Sequence, residues 1–273
     1  MIISRLSTIV SENRDKNPLY LRNLLKQELQ GLVLNFVYSS KFNQFFLLKG
    51  GTCLRLCFDL PRLSEDLDFD IENFVNFSLK EFAGQLEDYF KRDLQVKNFS
   101  LKVAGNQKQI YLKFPLLDQI GLVKAREESN ILFLRIDLSR ALGRSYQKEV
   151  SFKSVGIFSF IILRLSLADL MSGKILAILQ RETGDEKAPR VKGRDYFDLV
   201  WFLEKKIKPN FKYLQEISKF KSEKEVWQEL EGKVESLDLK ILKDDLLPLL
   251  ADQAFVFRFV KDFKTLYESL RPR

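Results

Sequence analysis

The apolar residues of this 273-residue chain keep a single period only beyond about residue 165. Before that point runs with the spacing of strands, alternating or continuously apolar, are interleaved with a few helical segments. Beyond it apolar residues recur every three or four positions, the spacing of helices. Strands in one part and helices in the other specify an α+β chain: a mixed sheet followed by a helical C-terminal half. A division into residues 1–165 and 166–273 is expected, although no linker composition marks two independent domains.

Local signals place the elements. Asn17-Pro18 opens a helix carried by Leu21, Leu24, Leu25, Leu29 and Leu32, because Asn caps well and Pro suits the first helical position. Residues 45–48 read as a buried strand ending in Lys49-Gly50-Gly51-Thr52, a glycine turn into a helix that stops before Pro61. Residues 63–71 alternate Asp66, Asp68 and Asp70 with Leu67, Phe69 and Ile71, so carboxylates and apolar groups take opposite strand faces. Ser78 and Glu81 open a helix expected to reach residue 94. Residues 96–103 and 109–114 form a hairpin through Gly105-Asn106, and 131–138, 152–155 and 157–163 read as further strands. Helices follow at 167–181 and 193–205, with a polar basic loop at 182–192 between them. Residues 211–270 hold three or four more helices.

The composition narrows the chemistry. There is no histidine, which excludes Ser-His-Asp and Cys-His nucleophilic machinery, His-ligated zinc and the usual neutral-pH base. An enzyme with this sequence must rely on carboxylates, lysine, hydroxyls and metal ions. Cys53 and Cys57, four residues apart, do not suit a local disulfide and read as buried small side chains of a cytoplasmic protein. The N-terminus lacks a cleavable signal pattern, and no apolar run approaches a membrane span. A net charge of +8 points to phosphate-bearing partners rather than to a membrane.

The strongest candidate site joins Gly50-Gly51-Thr52 with Asp66-Leu67-Asp68. A glycine turn at a helix start presents backbone N–H groups and the positive end of the helix dipole, which suit triphosphate oxygens, and Thr52 adds a hydroxyl. Asp66 and Asp68 point to one side of their strand, and hard oxygen donors of this kind suit Mg²⁺. Each motif alone is weak: alternating Asp is commonly a solvated face, and GG-T is a common turn. The order strand, GG-T, helix, D-x-D strengthens both. Asp137, in the apolar run Leu134-Arg135-Ile136-Asp137-Leu138, has two readings: an ion pair with Arg135 or Arg140, and a third metal ligand.

Two blocks of sequence carry a resemblance. The first is Leu48-Lys49-Gly50-Gly51-Thr52-Cys53-Leu54-Arg55-Leu56 followed by Arg62-Leu63-Ser64-Glu65-Asp66-Leu67-Asp68-Phe69. The second is Lys174-Ile175-Leu176-Ala177-Ile178-Leu179, then Arg181, then Arg194-Asp195-Tyr196-Phe197-Asp198-Leu199. In this order they resemble the AbiEii/AbiGii toxin family, nucleotidyltransferase-like proteins of the polymerase-beta-type superfamily. The resemblance implies a nucleotidyltransferase core with an added helical region.

It also implies roles for individual residues. Gly50, Gly51 and Thr52 would hold triphosphate. Asp66, Asp68 and Asp137 would ligate Mg²⁺, in a two-metal site, with Asp137 helping to activate the attacking hydroxyl. Lys174 would reach nucleotide phosphate; a solvent-facing lysine is the plainer reading. Asp195 would be a site residue, whereas Asp198 is more simply structural. Arg62, Ser64 and Arg194 would contact nucleotide, the first two being equally plausible turn residues, and Asp70 would lie past the site.

The charge is uneven. Residues 140–194 hold eleven Lys and Arg against five Asp and Glu, most of the chain's surplus, which suggests a surface for RNA. The function expected is transfer of a nucleoside monophosphate from an NTP to an acceptor hydroxyl, RNA or tRNA by resemblance. The chain would act as the toxin of a toxin–antitoxin or phage-defence pair with a separate cognate antitoxin. Competing readings are a non-catalytic nucleotide- or RNA-binding module on the same fold, and nucleotide or phosphate transfer to protein side chains. Oligomeric state has no sequence signal.

Overall fold

The computed structural model describes residues 2–106, 108–123, 129–181 and 190–272. It divides into two compact units, each discontinuous in sequence. The first is Met1–Cys57, Leu63–Ala141 and Val150–Arg164; the second is Phe58–Arg62, Leu142–Glu149 and Leu165–Arg273. Two short stretches on the N-terminal side of residue 165 thus belong with the helices. Most of the basic loop expected at 182–192 lies outside the described residues.

The first unit opens with helices α1 (Ile2–Glu12) and α2 (Pro18–Ser39), the latter capped by the Asn17 side chain, which accepts from the Leu19 amide. Strand β1 (Phe46–Lys49) leads directly into α3 (Gly50–Phe58), and β2 (Asp66–Ile71) follows. Then come α4 (Leu79–Asp88), β3 (Ser100–Ala104), β4 (Gln109–Pro115), β5 (Ile131–Arg140), β6 (Lys148–Val155) and β7 (Phe158–Leu165). The seven strands form one mixed sheet in the order β3-β4-β5-β2-β1-β7-β6. β2 runs antiparallel to β1 and parallel to β5, while β4 and β5 are antiparallel. The expected α+β architecture is therefore the observed one.

Strand alternation creates two unlike faces of this sheet. Leu67, Phe69, Ile110, Leu112, Phe114, Leu134 and Ile136 are fully buried, and α2, with Leu25, Leu29, Val33, Leu34 and Val37 equally buried, packs on β5. Burial of each such side chain favours folding by roughly 1.5–3 kcal/mol. The opposite face carries the polar residues of the candidate site.

Three boundaries differ from the sequence pattern, each for a physical reason. The expected strand 63–71 begins only at Asp66, where pairing with Arg135 of β5 begins; β1, on the other side, pairs no further than Asp68. The Ser64 carbonyl instead accepts from the Gln30 side chain at 2.9 Å. The hairpin strand expected from residue 96 begins at Ser100, because Gln95 and Asn98 have φ of 52° and 55° and break the extended chain. The helix expected to reach residue 94 leaves α-geometry at Asp88 and closes with a π-helical turn, Tyr89–Asp93. That turn carries buried Phe90 against Phe99 and Phe114, with ring centroids 4.8 and 5.1 Å away.

The second unit is helical: α5 (Leu167–Leu179), α6 (Gly193–Glu204), α7 (Phe211–Ile217), α8 (Glu223–Glu235), α9 (Leu239–Leu246) and α10 (Gln253–Leu270). α5 packs on α6, α7 and α8, and α6 packs on α9 and α10. Gly193 lets the start of α6 lie against the backbone of Leu242; a Cβ there would collide with it. Fully buried Asp169 ties the stretch Leu142–Glu149 into this unit. It accepts from the Gln147 amide, the Ser166 hydroxyl and the Asn210 side chain at 2.7, 2.6 and 2.7 Å.

Candidate active site

In the first unit the strand registers gather the predicted acids. Asp68 of β2 stands beside Asp137 of β5 on one side and Lys49 of β1 on the other, while Gln109 of β4 pairs with Asp137. One polar rung, Gln109–Asp137–Asp68–Lys49, therefore crosses four strands on one face. The adjacent rung is Tyr111–Arg135–Asp66.

The residues of these rungs hold one another. Arg135 Nη2 donates to Asp66 Oδ2 at 2.6 Å, and its Nε lies 2.9 Å from Asp137 Oδ2. Gln109 donates to Asp137 Oδ1 at 3.0 Å and accepts from the Tyr111 hydroxyl at 3.0 Å. Asp70, expected to lie past the site, is buried; it accepts from Lys49 Nζ at 2.7 Å and Ser139 Oγ at 2.9 Å.

The glycine turn lies against this face. Gly50 has φ of +74°, a left-handed conformation that disfavours a Cβ. A Cβ at Gly50 would also collide with the Asp68 carboxylate. Gly51 and Thr52 start α3 behind it, and Thr52 is buried with its hydroxyl donating to the Asp66 carbonyl at 2.5 Å. The Thr52 oxygen thus ties the helix start to β2. Ser64 is buried as well.

The donor set suits a hard divalent cation: oxygen ligands on adjacent strands of a histidine-free chain. The acids do not converge in the arrangement seen. Among the described residues no three ligating side chains are close enough to hold an ion, and the Arg135 guanidinium supplies the positive charge between Asp66 and Asp137.

In the second unit the other predicted residues form a buried ionic cluster. Arg62, expected to touch phosphate, is 1% exposed and clasps Asp198 through Nε and Nη2, both at 2.6 Å. Lys174 Nζ lies 2.8 Å from Asp195 Oδ1 and 2.7 Å from Asp198 Oδ2. Arg181 pairs with the other oxygen of Asp195. Asp195 and Asp198 share the inward face of α6 with Leu199 and Phe202. Burial lowers the Lys174 pKa to about 8; Asp198 opposes that shift, and Arg62 and Arg194 add to it. Asp198 is held below the usual carboxylate range despite its burial, because Arg62 and Lys174 favour its charged form. The solvent-facing reading of Lys174 does not hold: its side chain is 13% exposed.

Two residues of these clusters carried no assigned role in the sequence. Arg135 was visible only as an ion-pair partner for Asp137; its two-residue spacing puts it on the same face, but its place opposite Asp66 depends on register. Arg181 belongs to the second motif, and its partner became visible only in the fold. The charge surplus of residues 140–194 is partly internal, since Arg164 is buried and Lys174 and Arg181 face Asp195. No described helix is long and apolar enough to cross a membrane.

Comparison with known proteins follows the same line. The family profile described as "Nucleotidyl transferase AbiEii toxin, Type IV TA system" matches residues 34–268. Among solved structures the chain is similar to MenT4, a nucleotidyltransferase toxin from Mycobacterium tuberculosis H37Rv. The TM-score is 0.53 at 14% identity, over 98% of this chain and 99% of that one, a likeness of fold. No curated protein sequence matches.

Proposed function

This chain belongs to the AbiEii nucleotidyltransferase toxin family of type IV toxin–antitoxin systems, and from that premise we propose that it transfers a nucleoside monophosphate from an NTP to a hydroxyl of RNA, a tRNA in particular. Residues 1–165 supply the transferase core and 166–273 the helical region with the second motif. The observation that carries this reading is the polar rung, which lines up Asp137 and Asp68 in register beside the Gly50 turn. The family implies an NTP substrate and a cognate antitoxin, and we place the activity in the cytoplasm.

Asp66, Asp68 and Asp137 are the residues that would hold Mg²⁺, which when bound neutralises phosphate charge and eases deprotonation of the acceptor hydroxyl. The N–H groups of Gly51 and Thr52 at the start of α3 offer donors to phosphate oxygens. Gly50 keeps the approach to Asp68 clear. Lys174 and Arg194 are the cations assigned to nucleotide phosphate, and Asp195 fixes the Lys174 ammonium. The basic surplus supports RNA as the acceptor.

Incubation with each α-labelled NTP, Mg²⁺ and separate pools of total RNA and protein tests the assignment. Label in RNA is expected. Label confined to protein would replace RNA as acceptor, and no label in either pool would refute transfer.

Two expected results follow from the clusters. With Arg135 replaced by Gln, the acids lose their internal cation. Mn²⁺ binding read by electron paramagnetic resonance should then tighten roughly tenfold, since a unit charge at contact distance no longer competes. The melting temperature in chelator should fall.

Lys174 should govern the alkaline limb of kcat/KM. Its charge is lost as pH rises past about 8, so activity should decline there, and Lys174→Arg should remove the decline. Stability should move the opposite way. Between about 8 and 10.5 the unfolded lysine still binds a proton that the folded one has released, so unfolding becomes harder as pH rises through that window.

A further inference from the structure

The sheet of the first unit ends in a strand that is built like an interface. Among the described residues β6 is the last strand of the sheet, next to β7. An edge strand offers unpaired backbone groups, and proteins ordinarily blunt such an edge. Beside its charged residues this edge carries exposed apolar side chains: Val150 and Phe152 of β6 are 63% and 69% exposed, and Ile161 of β7 is 61% exposed. The Ser154 and Ser159 hydroxyls meet at 2.8 Å. Two residues on from that pair along each strand stand Phe152 and Ile161, which places them side by side on the same face. The result is a contiguous apolar strip at an open edge, a combination that marks an interaction surface.

The sequence of β6 specifies its occupant. We infer that β6 pairs antiparallel with β6 of a second copy of this chain, about a two-fold axis at Ser151, to make a continuous sheet through a homodimer. In that register every residue faces the one whose number makes the pair symmetric about Ser151. Val150 of each copy lies opposite Phe152 of the other, joining the two apolar strips across the axis. On the other face Glu149 of each copy lies opposite Lys153 of the other, an opposite-charge pair made twice. An isologous contact must be complementary to itself. This strand meets that requirement in both shape and charge, and cross-strand apolar and ionic pairs of this kind set strand register. Pairing about Phe152 instead would place Glu149 against Val155 and lose the charge match.

Sedimentation equilibrium on the full chain tests the inference. The wild type is expected to dimerise at micromolar concentrations and to dissociate on dilution. Phe152→Lys should weaken the dimer about tenfold or more, with an unchanged melting temperature at concentrations where both proteins are monomeric, since Phe152 is largely solvated in the single chain. Glu149→Lys and Lys153→Glu should each weaken it, and the two together should restore it. Mixed Val150→Cys and Phe152→Cys proteins should form a disulfide between copies that neither forms alone. A wild type that stays monomeric overturns the inference. So does a dimer indifferent to Phe152→Lys, or one that Phe152→Lys breaks but the charge exchange does not restore.

Discussion

Asp68→Asn is expected to lower nucleotidyl transfer about a thousandfold, equivalent to about 4 kcal/mol of transition-state stabilisation. The fold should stay intact. Asn keeps the shape that fits beside Gly50 and removes only the charge. Asp68 occupies the centre of the rung, with Asp137 on one side and Lys49 on the other, so no neighbouring carboxylate can replace it without a change of register. Stability should hold or rise slightly, because Asp68 and Asp137 are acids on neighbouring strands and repel. The measurement is label transfer under single-turnover conditions together with a thermal melt. Loss of activity with an unchanged melt supports a role in chemistry. Transfer within a few-fold of wild type would remove Asp68 from the reacting centre.

Asp198→Ala should fail in the opposite way, through folding. Asp198 is the shared partner of Arg62, which is buried, and Lys174, which is nearly so. Removing it leaves two cations in a low-dielectric interior with one carboxylate fewer, and such a deletion costs about 3–5 kcal/mol. For a unit of this size that corresponds to a loss of roughly 10–20 °C in melting temperature. Replacing the partners together, as in Asp198→Leu with Arg62→Met, should recover much of the loss, because a matched apolar pair needs no counter-charge. The sign with pH follows from the depressed carboxylate of Asp198. Its stabilisation is complete above the ordinary value of 3.8 and disappears as pH falls through the lowered folded value. A melt of Asp198→Ala equal to wild type would show that the cluster contributes little to the fold.

The two predictions separate what the sequence motifs treat alike. Asp66, Asp68, Asp195 and Asp198 are all acids in motif positions. Asp68 lies on a half-exposed strand face, where a charge is available for chemistry. Asp198 is fully buried on α6, where its charge is needed to neutralise others. Arg62 shows the same divergence: it stands four positions before Asp66 in sequence and belongs, within Phe58–Arg62, to the helical unit.

Much of the architecture was legible because its signals are local. Asn17-Pro18, the alternation through residues 66–71, the glycine turn and the helical spacing after 166 act over two to seven residues, within reach of a single segment's conformational preferences. The lengths of individual strands were less legible, since a strand lasts only as long as its pairing. β2 starts at Asp66, where its pairing with Arg135 of β5 begins, and nothing in residues 63–65 announces it.

By itself the sequence determined which face of each strand would carry acids and which would be apolar, that the chain has no histidine to act as base, and that two motif blocks of one enzyme family stand in order. The tertiary structure alone decided the neighbours: Asp137 beside Asp68, Arg135 between Asp66 and Asp137, and Arg62 closed on Asp198 across 136 positions of chain. The physical reason is that periodicity is a property of one segment, whereas register and the pairing of buried charges belong to two. Only the assembled sheet and helices establish which cation meets which carboxylate.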